Sequence, residues 1–399
     1  MRRTITLICI LSLIFAGLAQ SVGCAGPSSA NTEINASEIE SKEPEAVEGN
    51  KEEKDVLVYK ESEELKYAKE FAIDYYEGGY TVLNSIQDDR KYLLVPEGKD
   101  VPGGCEDFIV IKRPVDDIYL VASAAMDMVV NLDALDSVKF SGQKEDNWYI
   151  TEAREAMEKG DIVYAGKYNK PDYETIYMEG CKLAIENTMI YHSPEVLEQF
   201  DKFEIPYIVD YSSYENHPLA RVEWIKFYGA LLGCEEKAKE IFTEQEELIK
   251  KVEAKEKTGK SVVYFYVTSN NLVQVKKSSD YIPKMIEIAG GKYIFENLDD
   301  DSTKKTTVNM QVEEFYKGAK DADYIIYNSS IDGGIESIDD LINKCPFLED
   351  FKAVKDGNVF CTTNDMYQQT LSTAYMIEDI NTMLTGEENE MHYIYRVDR

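Results

Sequence analysis

EEKAKEIFTEQEELIKKVEAK, residues 235–255, is the stretch on which the architecture turns. Gly233 closes whatever precedes it, and no Pro interrupts it. Ala238, Ile241, Phe242, Leu248 and Val252 give it a partial apolar stripe, and the rest is charged. At ~1.5 Å per residue it is a helix of roughly 30 Å. A long helix with a thin apolar face suits a rod joining two bodies.

Short apolar runs alternate with helical patterns on both sides of it. Upstream, Glu61 to Asp74 reads as a helix leading into a strand. Thr81–Ile86 and Lys91–Val95 read as a hairpin turning at Asp88-Asp89. Asp117–Ser123 (DIYLVAS), Lys139–Ser141 and Ile205–Val209 (IPYIV) read as buried strands. Helices are expected over Ala124–Leu135, Thr151–Lys159, Pro171 to about Gly180, Pro194–Lys202, and from the Ser212–Pro218 cap region to Gly233. Downstream, strands are expected at Val262–Val267, Tyr324–Tyr327 and Val359–Thr362. Helices are expected at Asp280–Ala289, Met310–Ala319, Ile338–Asn343 and Gln369–Leu384. The expected fold class is α/β: two α/β lobes with mostly parallel sheets, joined by one long rigid helix, with a ligand cleft between the lobes.

The N-terminus carries a different signal. Arg2 and Arg3 precede an apolar segment, Ile5–Ala16, that is too short to span a bilayer, and small residues lead to Ser21-Val22-Gly23-Cys24. This reads as a signal peptide, and its cut site resembles a bacterial lipobox, although Ser21 stands where Leu is usual. The resemblance implies cleavage before Cys24 and acylation of its sulfur; the alternative is plain secretion. The Glu-rich stretch after Cys24 has almost no large apolar residue and is expected to be a disordered leash with a reach of about 30 Å. The expected divisions are 1–23 signal peptide, 24–57 acylated linker, 58–233 first lobe, 234–256 bridging helix, 257–386 second lobe and 387–399 polar tail. The protein is then expected at the outer face of the cell membrane, held by lipid and monomeric, in a cell of Gram-positive type.

Acids outnumber bases 75 to 43, a formal net charge of −32. That argues against nucleic acid, whose phosphates demand basic patches, and against lying flat on anionic lipid. Cys105, Cys181, Cys234, Cys345 and Cys361 follow Cys24 with no CxxC pair, so a thiolate metal site is not expected. The sequence has no GxSxG, HExxH or GxGxxG. Thr258-Gly259-Lys260-Ser261 fails as a phosphate loop, because Ala254 stands where the earlier Gly belongs and a helix precedes it. No enzyme is expected.

Several blocks, in order, carry a resemblance to a known family. They are DIYLVASAAMDMVVNLDAL (117–135), PDYETI (171–176), EIPYIVD (204–210, with Glu204 where Gly is usual), IEIAGGKYIF (286–295) and VEEFYKGAKDADYIIY (312–327). Together they resemble substrate-binding proteins of ABC importers of the single-bridging-helix type, which include receptors for iron–siderophore complexes, haem and vitamin B12. The segment SSYENHPLARVEWIKFYGALLG (212–233) resembles a variant found among iron-complex receptors of Gram-positive gut bacteria. The resemblance implies an extracytoplasmic receptor that binds an iron complex and delivers it to an ABC permease and its ATPase. A tetrapyrrole, haem or corrinoid, is the alternative ligand, and no resident cofactor is expected. A structural or adhesive surface lipoprotein is the alternative of another class.

Open α/β sheets place ligands at the carboxyl ends of their strands. The candidate ligand-binding residues on those loops are Ser123, Trp148, Tyr149, Tyr168, Asn187, Thr188, Met189, Tyr214, Arg221, Asn271, Met366 and Tyr367. Aromatic faces and thioethers suit a broad, flat or greasy ligand. With 28 Tyr in the chain, loop position rather than residue type is what singles out a ring. Tyr168 is favoured because the family places an aromatic contact ahead of its P-x-L-E-x-I block. Arg221, with Lys167 and Lys226, could offer positive charge to an anionic complex; the alternative is an ion pair with Glu223 or Glu215. His192 and His217 could meet as haem ligands, or each could be a polar residue at a helix start. The resemblance also implies that Glu174 and Glu313, with Glu314 as the neighbouring candidate, dock the permease. The ordinary alternative is a Glu favoured by the dipole of a helix's first turn.

Overall fold

A computed structural model describes residues 56–299 and 306–398. The signal segment, Cys24 and nearly all of the tether lie outside the described residues. Five strands come first: β1 (Tyr59–Ser62), β2 (Phe71–Tyr76), β3 (Thr81–Ser85), β4 (Arg90–Val95) and β5 (Ile109–Lys112). They form one sheet in that order, antiparallel except for the parallel β4–β5 pair. The β3–β4 hairpin is where the sequence placed it.

The helix expected over Glu61–Asp74 does not form. Its residues have good helix propensity, but the backbone is captured from outside. The amides of Lys66, Tyr67 and Ala68 donate to the carboxylate of Glu223 at 2.8–2.9 Å. Those of Lys69 and Glu70 donate to Glu215 at 3.0 Å. Five amides held by two buried acids leave no i→i−4 ladder to make.

The first lobe follows as β6 (Ile118–Leu120), α1 (Ser123–Asn131), β7 (Val138–Ser141), α2 (Thr151–Lys159), β8 (Val163–Tyr164), the small β9–β10 ribbon (Gly166–Lys167 and Lys170–Pro171), α3 (Tyr173–Met178), β11 (Leu183–Asn187), α4 (Pro194–Lys202) and β12 (Tyr207–Asp210). Its main sheet has the order β12-β11-β6-β7-β8, and every neighbouring pair is parallel. Two helices then turn the chain over: α5 (Pro218–Leu232) and α6 (Glu235–Glu253), with Gly233 between them at φ +76°. α5 is apolar almost all round and is buried along nearly its whole length, which requires cover on every side. The N-terminal sheet supplies part of that cover, since Phe71 packs on both Trp224 and Phe227.

The second lobe runs β13 (Ser261–Val267), β14 (Val273–Lys276), α7 (Tyr281–Ile288), β15 (Lys292–Tyr293), β16 (Thr307–Met310), α8 (Val312–Ala319), β17 (Tyr324–Tyr327), α9 (Ile338–Lys344), α10 (Lys352–Asp356), β18 (Val359–Thr362), α11 (Thr373–Thr385) and β19 (Ile394–Arg396). Its sheet has the order β16-β14-β13-β17-β18-β19, with β15 beside the start of β13. The centre, β13-β17-β18, is parallel, and the edges β14, β16 and β19 are antiparallel. Parallel strands thus form the heart of both lobes, as expected, and antiparallel strands finish the edges of the second.

One further expectation needs correction. Residues 387–399 are not a free polar tail: Ile394 and Val397 are buried, and β19 completes the sheet against β18. An apolar residue at alternate positions suffices to seat an edge strand, however polar its flanks. Residues 235–253 do form the expected long helix, and its apolar stripe is seated. α6 buries Ala238, Phe242, Ile249 and Val252 against its neighbours, while Ile241 and Leu248 are half-buried. One continuous core runs from the first lobe's sheet through α5, α6, α7 and α11 to Val262, Tyr264, Tyr324 and Ile326 of the second.

Candidate functional site

Because β6, β7, β8, β11 and β12 are parallel, their carboxyl ends share one edge of the first lobe. Ser123 opens α1 directly after β6, and Tyr149 follows β7. Tyr168 sits in the β9–β10 turn after β8, and Asn187, Thr188 and Met189 close β11. Tyr214 lies in the short turn after β12. In the second lobe Asn271 lies in the β13–β14 turn, and Met366 and Tyr367 follow β18. Tyr149, Met189 and Tyr367 are exposed, and Tyr168 and Tyr214 are half-buried. The two edges meet. The Gln368 side chain accepts from the Tyr149 amide (2.9 Å) and donates to the Asn147 carbonyl (2.8 Å). The Leu371 amide donates to Asp127 of α1 (2.8 Å).

Other candidates sit differently. Trp148 is only 1 % exposed, and its indole N–H donates to Ser141 (3.0 Å), so it is a core residue and not a lining one. Met366 is likewise buried in the shared core. Large apolar side chains on a loop fold inward when a strand end leaves room beneath them, and composition alone does not distinguish that from a lining role. Arg221 lies over the Tyr281 ring, 4.1 Å from its centroid, at the junction of α5 and α7. Lys226 is buried and paired with Glu223 (3.1 Å) and Glu63 (3.4 Å), so its charge is consumed inside the fold. Asn187 accepts from the Met189 amide (2.9 Å), and Asn271 takes φ +58°, a left-handed position that suits Asn. His217 caps α5 by accepting from the Leu219 amide (3.1 Å), and its ring stacks on Tyr67 at 4.9 Å. Burial lowers its pKa.

Glu174 and Glu313 are both exposed in the first turns of α3 and α8. The five described cysteines are free thiols, and burial raises the pKa of each.

Sequence reasoning missed three acids. Burial pushes Asp127 up to about 7, against hydrogen bonds from Leu371 and Asn131. Glu186, next to the β11 end, is fully buried with neither oxygen partnered, and burial raises its pKa strongly. Burial also pushes Glu246 up, but hydrogen bonds from Lys66, Lys250 and Tyr67 outweigh it and hold the carboxyl at about 2. Only their tertiary surroundings mark them out.

Residues 124–366 match the family model described as periplasmic binding protein. The chain belongs to that family. Its members are extracytoplasmic substrate-binding proteins that deliver small molecules to ABC permeases, and they are not enzymes. An uncharacterized lipoprotein of Methanocaldococcus jannaschii is 28% identical over 353 residues, 81% of this chain and 82% of that protein. Among solved structures, a possible iron-binding solute-binding protein of Staphylococcus epidermidis aligns with TM-score 0.53 at 15% identity, covering 67% of this chain and 97% of that one. The periplasmic heme binding protein of Vibrio cholerae aligns with TM-score 0.54 at 15% identity, covering 67% and 98%. A protein of an ABC-type Fe3+-hydroxamate transport system from Saccharomonospora viridis aligns with TM-score 0.52 at 17% identity, covering 69% and 94%. These likenesses carry the fold. The β1–β5 sheet lies ahead of the residues that match the family model. Among the described residues no helix is long and apolar enough to cross a membrane.

Proposed function

We propose that this protein is a surface receptor that binds an iron complex, a ferric siderophore or similar chelate, between its two lobes and hands it to an ABC permease. Acylated Cys24 would hold it at the outer face of the membrane of a single-membrane, Gram-positive-type cell. The observation that carries the reading is the meeting of two strand-end edges on whose loops Tyr149, Met189 and Tyr367 are exposed and Tyr168 and Tyr214 half-buried. Aromatic and thioether surface at such an edge favours a broad ligand with apolar faces over a bare ion. Glu174 and Glu313 would dock the permease, one from each lobe.

The test is the absorption spectrum and mass of whatever copurifies, followed by titration with ferric desferrioxamine B and with haemin. Tyr168→Ala should weaken the chelate by ~1–3 kcal/mol. Tyr207→Ala, in the buried β12 strand, should lower stability instead. Tight binding of haemin but not of the chelate would move the assignment to a tetrapyrrole. Binding of neither would move the ligand to another class of small molecule.

A further inference from the structure

Gln368 is wholly buried, yet it stands on a loop between the lobes and spends both ends of its amide on the other lobe's backbone. Its oxygen takes the Tyr149 amide and its nitrogen serves the Asn147 carbonyl, so it pairs as a strand neighbour would. Only this orientation satisfies both groups; a flipped amide would set oxygen against oxygen and nitrogen against N–H. Further along, the Leu371 amide is fixed by Asp127, and Met366 is sunk in the shared core. Residues 368–371 of the second lobe are thus fastened to the first by three hydrogen bonds. The two rings adjoining the clasp are not buried: Tyr149 is 42% exposed and Tyr367 is 43% exposed.

A buried amide bonded at both its oxygen and its nitrogen, with an exposed tyrosine next to it on each strand-end loop, does more than join lobes. We propose that Gln368 is a positioning residue of the candidate ligand edge, which fixes the backbone that carries Tyr149 to the loop that carries Tyr367 and so sets where both exposed rings stand. The proposal rests on the receptor reading for its consequence, but its geometry stands apart from it. Ring faces held before a ligand arrives lose less freedom on binding, which raises affinity without any new contact. A side chain six residues past the end of β18 reaches this role through the tertiary fold alone.

The experiment incorporates 3-fluorotyrosine at position 149, 367 or 168 in the intact mature protein and compares wild type with Gln368→Ala and Gln368→Glu. Loss of the clasp should shift or broaden the fluorine signals at 149 and 367 and leave that at 168 in place. Gln368→Glu, which sets a carboxylate oxygen against the Asn147 carbonyl, should do the same. Hydrogen exchange at the Tyr149 amide should quicken in both variants. Unmoved signals at 149 and 367, or unchanged exchange, would overturn the proposal whatever the protein binds. In the binding arm, Gln368→Ala should weaken ferric desferrioxamine B or haemin, whichever the wild type takes, by about tenfold. The loss should vanish in a Tyr149→Ala/Tyr367→Ala background, because the amide acts through the rings. An undiminished tenfold loss there would show a merely structural contact. If wild type binds neither probe, the ligand reading of the proposed function fails, and the fluorine and exchange results alone decide the clasp.

Discussion

Glu223 shows how much one side chain organises. Fully buried on α5, it accepts three consecutive amides from residues 66–68 and pairs with Lys226. Removing it leaves three donors without a partner and leaves the buried Lys226 ammonium with Glu63 as its one carboxylate. Glu223→Ala should cost ~3–5 kcal/mol, read as a fall in the urea midpoint, and Glu223→Gln, which keeps one acceptor, should cost less. A loss under about 1 kcal/mol would mean that water replaces the carboxylate there. Asp127 yields a pH prediction. Its carboxyl sits at about 7 in the fold against 3.8 for an ordinary Asp, and burial is the main cause. As pH rises the unfolded chain gives up this proton first. The stabilising contribution of the protonated form is therefore complete below about pH 4 and is lost between there and about pH 7, at up to ~1.4 kcal/mol per pH unit. Asp127→Asn keeps an acceptor for the Leu371 amide and should abolish that component. The difference between wild-type and variant stability, followed from pH 4 to 8, should slope; parallel curves would refute the assignment.

At the scale of elements, the α5–α6 pair is the junction between the lobes, and its closeness depends on Gly229. A Cβ there would lie 2.5 Å from the Cβ of Ala238. Gly229→Ala should destabilise by ~1–3 kcal/mol through overpacking, and Ala238→Gly in the same chain should recover part of it. Additive losses would show that the two positions do not share the contact. Most elements were legible because their signals are local. Thr151–Lys159 emerged as written, and Glu204 takes φ +55° where the family pattern usually has Gly. The failures at 61–74 and 387–399 were not local. The first segment was decided by acids more than a hundred residues away, and the second by an open edge of β18.

For the whole molecule, the shared core through α5, α6, α7 and α11, together with the Gln368 clasp, predicts little relative movement of the lobes. Scattering profiles with and without bound ligand should nearly superimpose, and marked compaction would contradict this. If Glu174 and Glu313 dock the permease, reversing both to Lys should leave ligand affinity intact and abolish uptake in reconstituted vesicles, each single change being partial. Raising salt should weaken wild-type docking, since exposed charges are screened over ~8 Å at physiological ionic strength. Normal transport by the double variant would remove both residues from that role.

The sequence by itself determined the α/β class, the two lobes, the helix between them and the family, because periodicity, caps and block order are written in neighbouring residues. It also marked the strand-end loops as the place for a ligand, since parallel strands must share an edge. Which loop side chains face that edge was decided only in three dimensions. Trp148 and Met366 turned inward, Lys226 was neutralised by Glu223 and Glu63, and Gln368 and Asp127 acquired partners from the other lobe. Burial and hydrogen-bond pairing depend on what packs alongside, and that neighbour is supplied by distant parts of the chain.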